Sequence, residues 1–154
     1  MTEANTSNEE LDQAYELGLT GLSKRMGNDL KGKTFAIWGL AFKPETDDMR
    51  ESPAIEIIKT LINFGAKVQV YDPKAMETAK NFYLKGLKGV KYCTKYGALE
   101  NADALVLCTE WNTFIMPDWE EVGRLLKYKI VFDGKNIWYN KLPEDFDYFG
   151  VGVN

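Results

Sequence analysis

The chain has 154 residues, 45% of them hydrophobic and 27% charged, at a mean hydropathy of −0.34; this is the size and mix of one globular domain that needs no metal or disulfide staple. Nineteen Lys and Arg against 23 Asp and Glu leave a net charge of −4, which argues against nucleic acid or an anionic membrane as partner. Histidine is absent, and Cys93 and Cys108 form no CxxC pair, so His-based triads, imidazole metal sites, zinc knuckles and redox motifs are excluded, and no metal is expected.

Residues 1–10 are polar and acidic and predict a disordered lead rather than a secretory segment. With no apolar run of membrane-spanning length, the expectation is a soluble, cytoplasmic protein. Leu11, Tyr15, Leu19, Leu22 and Met26 recur at three- and four-residue steps, which predicts a helix over 11–28. Gly27, Asn28 and the polar stretch 29–33 read as its end and a linker.

From Thr34 the pattern changes. Short β-branched and aromatic runs at 34–38, 68–71, 90–92, 104–108 and 130–132, and a last one near Tyr148 and Phe149, predict strands. Several are apolar on successive residues, as strands covered on both faces must be. Between them Ala54, Ile55, Ile57, Ile58, Leu61 and Ile62 form one helical stripe, and Trp119, Val122, Leu125 and Leu126 another. The alternation predicts a three-layer α/β, Rossmann-like domain over 30–154. Its sheet is mainly parallel, with five to six strands, and one N-terminal helix precedes it. Ser52-Pro53 and Asp72-Pro73 read as helix starts, a capping oxygen followed by a residue without an N–H.

Ligands of such sheets sit beyond the strands' carboxyl ends. The loop from Gly39 to Glu51 is long for a βα connection. It carries Phe42, Lys43 and Arg50 ahead of a helix N-terminus, a set suited to a phosphate and a flat base. The alternative is that Lys43 and Arg50 only neutralise Glu45, Asp47, Asp48 and Glu51. Ala41, Phe42 and Pro44 stand where a dinucleotide fingerprint needs glycines, so this loop is not expected to hold NAD by itself. Asp72 is placed either as a ribose-binding acid or, more simply, as a helix cap. Gly134 and Lys135 could meet an anion or merely turn the chain. Cys108 reads as a buried filler.

Gly39-Leu40-Ala41-Phe42-Lys43-Pro44, with Thr46-Asp47-Asp48-Met49-Arg50-Glu51-Ser52-Pro53, resembles the signature of the C-terminal domain of the UDP-glucose/GDP-mannose dehydrogenases, most like the UDP-glucose 6-dehydrogenase branch. Tyr71-Asp72-Pro73, Thr109-Glu110-Trp111 and Asp133-Gly134-Lys135-Asn136 follow in that family's order. The resemblance implies a UDP-sugar-binding domain of an NAD-dependent enzyme of polysaccharide biosynthesis that oxidises UDP-glucose to UDP-glucuronate. Phe42, Lys43 and Lys135 would contact the UDP-sugar. Arg50 would reach NAD, held mainly by an N-terminal domain not in this chain. Lys135 stands where the family has arginine, so a bidentate fork is lost there. No GxGxxG and no catalytic-cysteine segment are present, so no catalytic residue is assigned and the chain alone is expected to be inactive. The full-length enzyme would be a homodimer or larger and this piece a monomer. Two other possibilities stay open: a free-standing nucleotide-binding or regulatory module, and a sibling domain for GDP-mannose or an N-acetylated UDP-sugar.

Overall fold

A computed structural model describes residues 21–27 and 29–151. The expected lead over 1–10 and most of the expected helix over 11–28 lie outside the described residues. Within the described part of that stretch, Leu22–Met26 is helical and forms α1, while Gly21 just before it is a turn at φ +85° rather than part of a continuous helix. Leu22 is buried, and Arg25 pairs with Asp147 at 2.9 Å. The stretch expected as a linker is packed: Leu30 is buried and its N–H donates to the Phe64 carbonyl.

The strands are β1 (Thr34–Trp38), β2 (Lys67–Tyr71), β3 (Val90–Tyr92), β4 (Ala104–Leu107), β5 (Ile130–Asp133) and β6 (Asp147–Gly150). All pair in parallel in the order β3-β2-β1-β4-β5-β6. This is the doubly wound Rossmann arrangement, and it reverses direction between β1 and β4. The expected α/β class and parallel sheet are therefore present, with six strands. The central strands are buried along nearly their whole length, which is why their sequences are apolar without alternation.

The β1-to-β2 crossover is α2 (Pro53–Asn63). Ser52 caps it, accepting from the Ala54 N–H, and Pro53 takes the first position. Ala54, Ile57, Ile58 and Leu61 form its buried stripe. The helix expected at Asp72-Pro73 begins later. Asp72 heads a turn that delays α3 (Met76–Thr78), and α3 widens at once into a π-turn over Ala79–Tyr83, closed by the Leu84 N–H donating to the Ala79 carbonyl at 2.7 Å. On the other side come α4 (Asn112–Ile115) and α5 (Trp119–Leu125). The β5-to-β6 connection contains no helix among the described residues and is anchored by buried Trp138. No helix is long and apolar enough to cross a membrane among the described residues.

Candidate functional site

Register sets the site. Trp38 is level with Tyr71 on one side and Leu107 on the other, and Leu107 is level with Asp133. The residues that follow, Gly39, Asp72, Cys108 and Gly134, therefore leave the sheet side by side at its carboxyl edge, where the switch point between β1 and β4 opens a crevice. Aromatic rings pack beneath that edge. Trp38 stacks on Phe114 at 4.8 Å and meets Trp138 edge-on at 6.1 Å. The Trp138 Nε1 donates to the Phe114 carbonyl, and the Trp38 Nε1 to that of Lys95.

The first loop is tied to the turns after two other strands. Gly39 has φ +101°, and a Cβ there would lie 2.5 Å from the Thr109 nitrogen, so the β1 and β4 backbones touch. The Thr109 hydroxyl donates to the Ala41 carbonyl. Asp72, 1% exposed, accepts from the Leu40 and Ala41 N–H groups and from Trp111 Nε1 on Oδ2, and from the Lys74 and Ala75 N–H groups on Oδ1. The Ser52 hydroxyl donates to the Leu40 carbonyl. Further out the loop closes on itself: the Phe42 N–H donates to the Asp48 carbonyl, and the Thr46 hydroxyl accepts from the Asp48 N–H. Glu45 and Glu51 both hold positive φ, at 69° and 59°. Bent backbone of this kind persists only where its surroundings over-determine it.

The loop's two cations differ. Arg50 grips Asp48, with Nη2–Oδ2 at 2.7 Å and Nε–Oδ1 at 3.1 Å, on a side chain that is 79% exposed. The guanidinium holds the Asp48 carboxyl below its ordinary range, through its hydrogen bonds first and its charge second. The neutralising alternative thus describes Arg50. Lys43 is exposed, lies over the Phe42 ring at 5.4 Å, and has no ion pair among the described residues. Lys135 also has no ion pair among them. Its backbone is held by buried Asp133, which accepts from the Lys135 and Trp138 N–H groups and from the Tyr148 hydroxyl. Cys108 is buried, and desolvation pushes its thiol up to about 12 against the opposing pull of Lys135; it is a filler, not a nucleophile.

The turn does not fit NAD. A pyrophosphate there would need free N–H groups, but those of Leu40 and Ala41 are given to Asp72. Asp72 has no lone pair left for a ribose hydroxyl, and it does not cap α3 either, whose N-cap is Ala75 with no side-chain bond; the carboxylate braces its own turn and the first loop instead. Two grooves, of about 440 and 270 Å³, lie by residues that precede or open the strands, such as Lys129 and Phe146 in one and Lys33 and Asp103 in the other. Ligands of parallel sheets are expected at the opposite edge.

Residues 36–140 match the profile of the UDP-glucose/GDP-mannose dehydrogenase family, UDP binding domain. The chain belongs to that family. The UDP-glucose 6-dehydrogenase of Rhizobium meliloti is 42% identical over 112 residues, covering 73% of this chain and 25% of that protein. A UDP-glucose dehydrogenase structure from Pyrobaculum islandicum superposes with a TM-score of 0.71 at 31% identity, over 98% of this chain and 31% of that one. A UDP-D-ManNAc dehydrogenase structure from Pyrococcus horikoshii gives 0.68 at 28% identity, over 92% of this chain and 30% of that one. The chain spans 16% to 31% of the length of such relatives. The family domain brings together residues whose joint role the sequence reading missed, Asp72, Thr109 and Trp111. The available signal was polar residues directly after buried strands, where only a partner from another strand can satisfy them.

Proposed function

We propose that this chain is the UDP-sugar-holding lobe of an NAD-dependent nucleotide-sugar 6-dehydrogenase acting on UDP-glucose, and is catalytically incomplete by itself. The observation that carries this is a rigidly braced loop at the switch point whose exposed Lys43 ammonium makes no salt bridge among the described residues. Phe42 offers a flat apolar face, while Lys43 and Lys135 offer positive charge on turns fixed by buried carboxylates, a combination suited to a uridine diphosphate. Arg50, exposed and paired only at the surface, is the residue free to swing toward NAD. That cofactor belongs on a separate lobe, because the first turn here has no N–H left for it. The contribution to the reaction is positioning: the sugar is held by its diphosphate so that its C6 carbon meets the other lobe's chemistry in a fixed orientation.

Titration calorimetry with UDP tests this. Binding is expected to be weak, since half the site lies elsewhere, and Lys43→Ala should weaken it roughly tenfold, the size of one charge-assisted contact. UDP affinity unaffected by Lys43→Ala, or GDP binding better than UDP, would overturn the assignment.

A further inference from the structure

We infer that Asp72 is a positioning residue for the ligand-contacting loop: its buried carboxylate is an internal anion that fixes Leu40 and Ala41, and through them Phe42 and Lys43, in the arrangement that receives the diphosphate. This rests on the functional reading above, and its test separates the two.

In sheets of this topology the N–H groups of the first turn commonly face the phosphate of a ligand. Here they face a carboxylate supplied by the neighbouring strand, at 2.7 Å from Leu40 and 2.9 Å from Ala41. The same oxygen takes Trp111 Nε1 at 3.1 Å from the turn after β4, so one side chain joins the turns after three strands. Its other oxygen is filled by the Lys74 and Ala75 N–H groups. Five donors occupy a group with about four lone-pair directions, which leaves none for a ligand. Asp72 therefore acts through the loop and not on the nucleotide. The Lys43 cation begins two residues beyond the second held amide, a short enough tether for the carboxylate to set where it starts.

All five partners are donors, and this makes Asp72→Asn informative. Whichever way the amide turns, its NH2 confronts either the loop and Trp111 or the turn at Lys74 and Ala75, with no acceptor in reach among these partners. Trp111→Phe is the gentler companion, keeping an aromatic ring in the buried place while deleting one donor and part of the indole's volume.

The experiment pairs UDP calorimetry with amide hydrogen exchange read by NMR at Phe42, whose N–H donates to Asp48 and never to Asp72. Cooperative urea transitions establish that each variant is folded. Asp72→Asn is expected to raise exchange at Phe42 and weaken UDP, each by roughly tenfold, the equivalent of one charge-assisted hydrogen bond; Trp111→Phe should move both in the same direction by less. If Asp72→Asn does not fold, Trp111→Phe decides alone. Weakened UDP binding with unchanged Phe42 exchange would indicate direct contact and overturn the positioning role, as would unchanged UDP affinity in a folded variant. Failure of the unaltered chain to bind UDP overturns the functional reading instead, and exchange at Phe42 then still decides whether Asp72 fixes the loop.

Discussion

Gly39→Ala perturbs the contact on which the site is built, and its effect can be worked from geometry. The added Cβ would stand 2.5 Å from the Thr109 nitrogen and 2.6 Å from its Cβ and Oγ1, at a φ of +101°. An L-residue held in left-handed backbone costs about 1–2 kcal/mol. Forcing a methyl into packed space costs about 1–3 kcal/mol more. Moving Thr109 also strains its hydrogen bond to Ala41, at 2.5 Å, worth about 1 kcal/mol. Together the loss is roughly 3–6 kcal/mol, out of a total of about 5–15 for a domain. In urea, with an m-value of about 2 kcal/mol/M, the midpoint should fall by roughly 1.5–3 M. The double variant with Thr109→Ala relieves Oγ1 but leaves the backbone nitrogen in place, so it should recover less than half. A loss below about 1 kcal/mol for Gly39→Ala, or full recovery in the double variant, would refute the claim that backbone approach sets this seam.

Two further outcomes follow from buried groups. Ser52→Ala removes both the cap on Ala54 and the donor to Leu40; denaturant unfolding should show about 2–3 kcal/mol lost, and under 1 kcal/mol would mean the two bonds are replaced by water. Cys108, pushed up to about 12 in the fold from 9.0, stays protonated where the unfolded thiol ionises. Its folded value is raised, so stability is complete below about pH 9 and declines by roughly 1.4 kcal/mol per pH unit above it. Between pH 9 and 10 the unfolding free energy of Cys108→Ala should therefore fall less steeply than that of the unaltered chain, and parallel slopes would dismiss the thiol as the cause.

What could be read in the sequence was local. Phe35 to Trp38 and Ala104 to Leu107 are apolar without alternation because sheets covered on both faces demand it, and that pattern needs no knowledge of the rest of the chain. Ser52-Pro53 caps α2 as expected, because every atom of that device lies within two residues. Asp72-Pro73 looks the same in sequence and behaves differently. Three of its five donors come from residues more than 30 positions away, so the carboxylate serves the loops after β1 and β4 as well as its own turn, and α3 begins only at Met76. Leu30 shows the complementary failure. A lone apolar residue between charged neighbours carries no periodicity, yet it is buried and its N–H reaches the Phe64 carbonyl. Lys43 and Arg50 could not be told apart by composition. Which cation meets an acid depends on loop curvature, and Arg50 stands two residues from Asp48 on a turn that closes their pair.

The division between those two cations gives the site a physical logic. The turns carrying Lys43 and Lys135 are braced by buried carboxylates and hydroxyls before any ligand arrives, so binding spends little on ordering backbone, and affinity there is a matter of charge and fit. Arg50 is held by one partner, the half-buried Asp48, in a bidentate pair, but its own side chain is 79% exposed and nothing else among the described residues pairs with it. Under the proposed function, the braced turns would present fixed cations to a diphosphate, and Arg50, on a side chain 79% exposed at the loop's outer edge, would be the cation able to turn toward another lobe while the loop beneath it stays in place.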